Sequence, residues 1–164
     1  GEMARTLREE DGPAAIAERS LPLIEAELET HDTVLVDGLR SEVELDRFRE
    51  AFGEEFLLVS IEAPFETRAE RLLDRARDDS DIDREALRDR EERELGFGMG
   101  EVMDRADVVV ENTDTLDAFR ERIRAILDRD LASVDDDESV QVASDVLDPS
   151  ASDPKPEANA GDHR

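Results

Sequence analysis

Thr33-Val34-Leu35-Val36-Asp37-Gly38-Leu39-Arg40 decides how this chain is read. Four apolar or β-branched residues run without polar interruption, and a glycine turn follows. A continuous run, unlike a strict alternation, suits a strand covered on both faces, as in a parallel sheet. Two further runs share the pattern: Phe56-Leu57-Leu58-Val59-Ser60-Ile61, stopped by Pro64, and Asp107-Val108-Val109-Val110-Glu111-Asn112. Helical patterns lie between them. Ile16, Leu23, Ile24 and Leu28 share a side, with Pro22 expected to kink or split their helix. Ser41 reads as the N-cap of a helix carrying Val43, Leu45, Phe48 and Phe52 and stopped by Gly53. Thr115 caps a helix with Leu116, Phe119, Ile123, Ile126 and Leu127 at helical spacing. Strands alternating with helices predict an α/β fold: a parallel sheet, helices on both faces and right-handed crossovers.

The pattern fades near Val134. Residues 132–164 are rich in Asp, Ser, Pro and Ala and read as a disordered acidic tail, in which a short strand at Val140–Val142 has little to pack against. At the other end, Gly1–Glu10 already reads as helix with no strand before it. The expectation is therefore a domain over residues 1–131 that lacks its first βα unit.

The 164 residues carry a net charge of -26 and contain no cysteine. A disulfide scaffold and a Cys-ligated zinc site are excluded. Charge of this sign repels nucleic-acid phosphates, so no nucleic-acid partner is expected. No apolar run reaches the roughly 20 residues of a membrane span and no signal-peptide pattern opens the chain, so neither a membrane partner nor export is expected and the cytoplasm is the expected location. Lys155 is the only lysine. Acid-rich, lysine-poor chains stay hydrated where salt screens their self-repulsion. The sequence carries no signal of oligomeric state.

Three groups of residues carry candidate chemistry. Asp37 and Arg40 flank the turn after the first apolar run, and ligands of open α/β sheets bind outside strand carboxyl ends. An acid there holds Mg²⁺ water or accepts a proton, and an arginine clamps phosphate bidentately. The alternative is an ordinary loop acid and a solvated arginine. Arg68, Arg71, Arg75 and Arg77 then precede a polar linker, and Arg84, Arg88, Arg90 and Arg93 follow it. This pair of helices reads either as a mobile lid converging on a phosphoryl group, or as a hairpin laced by Glu–Arg pairs. Asn112 reads as a contact to a base or ribose, or as a turn residue. Gly96-Phe97-Gly98-Met99-Gly100 follows a charged helix instead of a strand, so it reads as a return from the lid and not as a dinucleotide loop. The phosphate-cradling pattern G-x-x-x-x-G-K-[ST] is absent.

Residues 1–131 resemble an archaeal family of P-loop proteins similar to adenylate kinase and dephospho-CoA kinase. The carrying segments are Gly1-Glu2-Met3-Ala4, Leu7-Arg8-Glu9-Glu10-Asp11-Gly12, Val36-Asp37-Gly38-Leu39-Arg40, Glu66-Thr67-Arg68, Arg90-Glu91-Glu92-Arg93-Glu94-Leu95-Gly96-Phe97-Gly98, and Ala106-Asp107 leading to Asn112. The acidic, lysine-poor character resembles a haloarchaeal member. The resemblance implies an ATP-dependent kinase of nucleoside-monophosphate-kinase-like fold, with a five-stranded parallel sheet, ATP and Mg²⁺ as cofactors and a nucleotide-like acceptor. Dephospho-CoA is the first candidate and a nucleoside monophosphate the second. Asp37 would be the strand-end catalytic acid, reaching Mg²⁺ through water. Arg40 and Arg71 would hold the acceptor, Arg75 and Arg90 would act from a lid spanning about residues 66–97, and Asn112 would sit by the adenine. The phosphate loop would lie upstream, so this chain alone is expected to be inactive. The alternative is a non-catalytic nucleotide-binding or regulatory protein of the same fold.

Overall fold

The structure, a computed structural model, describes residues 2–75, 84–94 and 98–147. Its helices are α1 (Glu2–Asp11), α2 (Ala15–Leu28), α3 (Glu42–Phe52), α4 (Phe65–Arg75), α5 (Arg84–Glu94), α6 (Gly100–Met103), α7 (Leu116–Leu127), α8 (Leu131–Asp135) and α9 (Ser144–Leu147). Its strands are β1 (Val59–Glu62), β2 (Val108–Glu111) and β3 (Val140–Val142). Thr115 caps α7 by accepting the Ala118 N–H at 3.3 Å. Gly53, at φ 54°, ends α3. Pro22 neither splits nor ends α2, contrary to expectation. Leu21 and Ile24 are buried on either side of it, while Pro22 and Glu18, whose carbonyl loses its partner, are exposed, so water serves the freed group.

The sheet is mixed. Its order is β1-β2-β3, with β1 and β2 parallel and β2 and β3 antiparallel. Val59 faces Val108 and Glu62 faces Glu111 across the first pair. Asp107 fixes that register: one carboxylate oxygen accepts the Leu58 N–H at 2.6 Å and the other accepts Arg49 of α3 at 2.8 Å. Val108 and Val110 are fully buried beside Ile126 of α7, Leu131 and Val134 of α8, and Val140 of β3. A second cluster joins Ala17, Leu21 and Ile24 of α2 to Phe48 of α3, where Phe48 and Phe56 stack at 6.1 Å between centroids.

Two expectations are corrected. Thr33–Gly38 forms no strand and joins no ladder among the described residues. A strand needs a neighbour for its N–H and C=O groups, and nothing described lies against this segment to supply one. It is fastened through Val34 and Leu39 to the α2–α3 cluster instead, leaving Leu35 76% and Val36 52% exposed. Among the described residues the parallel part of the sheet is therefore β1 and β2. The second correction concerns residues 132–147, which were expected to lack structure. They contribute α8, β3 and α9, because Leu131, Val134 and Val140 find β2 and α7 to bury against. The remainder of the expected tail, residues 148–164, lies outside the described residues.

Candidate functional site

A partly open hollow of about 1540 Å³ is lined by the Thr33–Arg40 segment and by β1. Asp37 and Arg40 are among its lining residues. So are Glu62 at the end of β1, Arg68 of α4, Glu91 of α5 and Met99. Gly38 makes the turn between Asp37 and Arg40 at φ 89°, a left-handed conformation that a side chain disfavours. Gly98, at φ 96°, brings the return from α5 against this loop, since a Cβ there would stand 3.8 Å from the Arg40 carbonyl oxygen. Gly98 of the glycine-rich stretch thus lies against the Asp37–Arg40 turn. Gly96 and Phe97 lie outside the described residues.

The two helices after β1 are held as a hairpin. Arg68 pairs with Glu91 and donates to the Ala63 carbonyl at 2.9 Å. Arg84 bonds Glu66 at 2.8 Å, and Arg88 stands 3.6 Å from the same carboxylate. The Phe65 ring lies under the Arg88 guanidinium, 4.8 Å from its centroid. Exposed pairs of this kind stabilise by about 0–1 kcal/mol each, so they orient the hairpin without locking it. Arg75 ends α4 and Arg90 lies within α5, but their side chains are outside the described set.

Arg71 and Asn112 are brought together, away from the hollow lining. Arg71 Nη1 donates to the Asn112 carbonyl at 2.8 Å and Nη2 to the Asp114 carbonyl at 3.4 Å. From the opposite side, Arg122 of α7 donates to the Asp114 carboxylate at 2.6 Å, to Asp137 at 2.8 Å and to the Ser139 hydroxyl at 3.0 Å. The turn after β2 is therefore gripped by two arginines. Donating to the Asp137 carboxylate, then to that of Asp114, raises the Arg122 pKa. The Arg122 guanidinium and the Ser139 N–H hold the Asp137 carboxyl below its usual range. Arg122 went unremarked in the sequence, where it sits on the helix without any distinguishing spacing. Glu62 was equally unmarked, although an acid closing an apolar run before Ala63-Pro64 is a readable signal.

Among the described residues no group of three or more His, Cys, Asp or Glu is placed to cage a metal. Asp37 and Glu62 are among the carboxylates that line the hollow. Carboxylate oxygens that are not gathered into a cage suit Mg²⁺, which keeps most of its water.

Helices around a small mixed sheet, with an acid–glycine–arginine turn lining a hollow, define a helix-rich α/β domain, and comparison with known proteins sharpens that class. Residues 2–96 match the AAA domain, a nucleotide-binding P-loop class. Over 130 residues the chain is 53% identical to a UPF0200 protein of Halobacterium salinarum, covering 79% of this chain and 68% of that one. It is 46% identical over 127 residues to a UPF0200/UPF0201 protein of Archaeoglobus fulgidus, covering 77% of this chain and 39% of the other. For a UPF0200 protein of Methanosarcina mazei the identity is 43% over 128 residues, covering 77% and 67%. The chain belongs to the UPF0200 family, whose members here are archaeal. No described helix is long and apolar enough to cross a membrane.

Proposed function

We propose that residues 1–131 are the acceptor- and lid-bearing part of an ATP-dependent kinase that phosphorylates a nucleotide-like acceptor, dephospho-CoA first and a nucleoside monophosphate second. The observation that carries this reading is that the Asp37-Gly38-Leu39-Arg40 turn lines the same hollow as residues of α4 and α5. The loop that cradles the ATP phosphates belongs, on this reading, to the part of the family's length that the chain does not match.

In-line phosphoryl transfer needs positioning and charge stabilisation more than covalent chemistry. Asp37 accepts a proton from the attacking hydroxyl, or holds water of Mg²⁺, the ion that neutralises charge on the phosphates when bound. Arg40 grips the acceptor phosphate with its planar fork. Arg75 and Arg90 meet transition-state charge as the α4–α5 hairpin closes, and closure excludes water. Arg71 fixes the turn that carries Asn112, which stands by the adenine of ATP.

A second reading, a nucleotide-binding regulator without catalysis, draws support from Arg68 and Arg71, whose guanidiniums are engaged by protein groups. A coupled ADP-release assay separates the two. The full-length protein, loop included, is given ATP and Mg²⁺ with dephospho-CoA, AMP and CMP in turn. Release that depends on one acceptor supports the kinase. ATP binding without release on any of the three supports the regulator. Residues 1–164 alone are expected to release none.

A further inference from the structure

The turn after β2 is held by its backbone from several directions. The Asn112 N–H donates to the Glu62 carbonyl at 2.7 Å, and the Asn112 carbonyl accepts Arg71 at 2.8 Å. Before it, the Glu111 N–H donates to the Ser139 carbonyl at 2.8 Å. After it, Asp114 accepts Arg71 at its carbonyl, 3.4 Å away, and Arg122 at its carboxylate, 2.6 Å away. The half-buried side-chain amide of Asn112, by contrast, makes no hydrogen bond among the described residues. An amide carries a donor and an acceptor side by side. Fixed at the backbone and free at its tip, it is placed to read a hydrogen-bonding edge.

Residues 137–139 aim the arginine that grips Asp114. Arg122 Nε donates to one Asp137 carboxylate oxygen at 2.8 Å, and Nη2 donates to the Ser139 hydroxyl at 3.0 Å. The Ser139 N–H donates to the other Asp137 oxygen at 2.9 Å, so the carboxylate is itself oriented. A planar guanidinium bonded along two edges is fixed in rotation. Arg122 is buried, so little water stands by to replace a lost partner. Removing Asp137 therefore frees Nε, lets the plane turn and slackens the hold on Asp114. Asp137 and Ser139 lie beyond residue 131, outside the stretch that resembles the P-loop kinases, so this brace belongs to the chain's own extension.

We propose that Asp137 is a positioning residue for the nucleotide base: through Arg122 it fixes the Asn112–Asp114 turn, and the extension thereby sets a preference for adenine over guanine. The brace acts on the base only if Asn112 stands by the adenine, as proposed above, and it is independent of phosphoryl transfer. Adenine presents an acceptor ring nitrogen beside an amino donor, which one amide meets with two bonds, whereas guanine presents two acceptors along the same edge. An amide held in one place loses a bond to guanine. An amide on a loose turn shifts to suit either base, and the preference disappears.

Equilibrium titrations of the full-length protein with ATP and with GTP, no acceptor present, test it. The unsubstituted protein is expected to bind ATP at least about five-fold more tightly than GTP, the lower bound for one bidentate pair. Asp137→Ala is expected to bring that ratio to about two or less by weakening ATP and leaving GTP unchanged. Asn112→Ala should do the same, and the double variant should fall no further, because both residues act on one contact. If Asp137→Ala does not fold, Asp137→Asn keeps the shape, loses the charge and should lower the ratio about two-fold. A preference that survives in the Asp137 variant, with ATP and GTP weakened alike or not at all, overturns the proposal and leaves the kinase reading standing. So does a double variant whose losses add. Equal binding of ATP and GTP by the unsubstituted protein removes Asn112 from the adenine and overturns the brace with it.

Discussion

Arg71 Nη1 lies 2.8 Å from the carbonyl oxygen of Asn112 and ties α4 to the turn after β2. The sequence gives the two residues separate ligand contacts, yet the fold makes one the holder of the other. A hydrogen bond from a charged donor is worth about 1.5–3 kcal/mol when buried, and less at this half-exposed position. Arg71→Ala is therefore expected to lower stability by about 1 kcal/mol in urea unfolding, with Arg71→Lys recovering part of it. No change in the unfolding midpoint for Arg71→Ala would show that the turn holds without it.

Arg122 is only 9% exposed and serves Asp114 and Asp137 together. Arg122→Leu leaves two carboxylates facing each other's charge, though both reach water, and is expected to cost about 2 kcal/mol. The Asp137 pKa is depressed in the folded state by Arg122 and by the Ser139 N–H. Its stabilising contribution is thus complete above the unfolded carboxyl value of about 3.9 and disappears as pH falls through the lower folded value. Urea titrations from pH 7 to pH 3 should show Asp137→Asn costing most at neutral pH and less toward the acid end. An equal cost at both ends would mean that the carboxylate charge does not matter.

Truncation separates the structured extension from the rest of the acidic segment. Ending the chain after Leu147 is expected to leave the melting temperature within a few degrees, since the composition beyond it buries little. Ending it after Asp130 removes Leu131, Val134 and Val140, each worth about 1.5–3 kcal/mol when fully buried. Against a total of about 5–15 kcal/mol, that loss is expected to unfold the domain at 37 °C. Circular dichroism melts of both truncations check it, and similar melts would remove β3 and α8 from the core.

Legibility in the sequence followed the range of the forces involved. Most local signals are legible: Thr115 as a cap, Gly53 as a stop, and the apolar runs that form β1 and β2, with Pro22, which α2 runs through, as the exception. Long-range pairing is not. Thr33–Gly38 has the composition of a buried strand, but a ladder depends on what lies beside it. Val140–Val142 was discounted because its partners, Val108 and Val110, lie some thirty residues away in sequence. Asp37 and Arg40 share the hollow as their spacing suggested, whereas Arg71 faces the Asn112 turn, because a helix aims residues only a few positions apart in different directions.

The net charge of -26 makes stability depend on salt. The Debye length falls from about 10 Å at 0.1 M to about 3 Å at 1 M, so the melting temperature should rise across that range of KCl. A flat or falling melting temperature would mean that the Glu–Arg pairs, which salt weakens, outweigh the self-repulsion it relieves.

The most direct test of a phosphoryl-transfer site at the Asp37–Arg40 turn is a comparison of turnover and acceptor KM in the full-length protein. Asp37→Asn removes the acid from the attacking hydroxyl or Mg²⁺ water, so kcat should fall by at least about a hundred-fold with the acceptor KM little changed. Arg40→Ala removes a ground-state phosphate contact, so the acceptor KM should rise about ten-fold or more. Unchanged kcat in the Asp37→Asn protein would contradict the assignment of the strand-end acid and leave nucleotide binding without phosphoryl transfer at this turn.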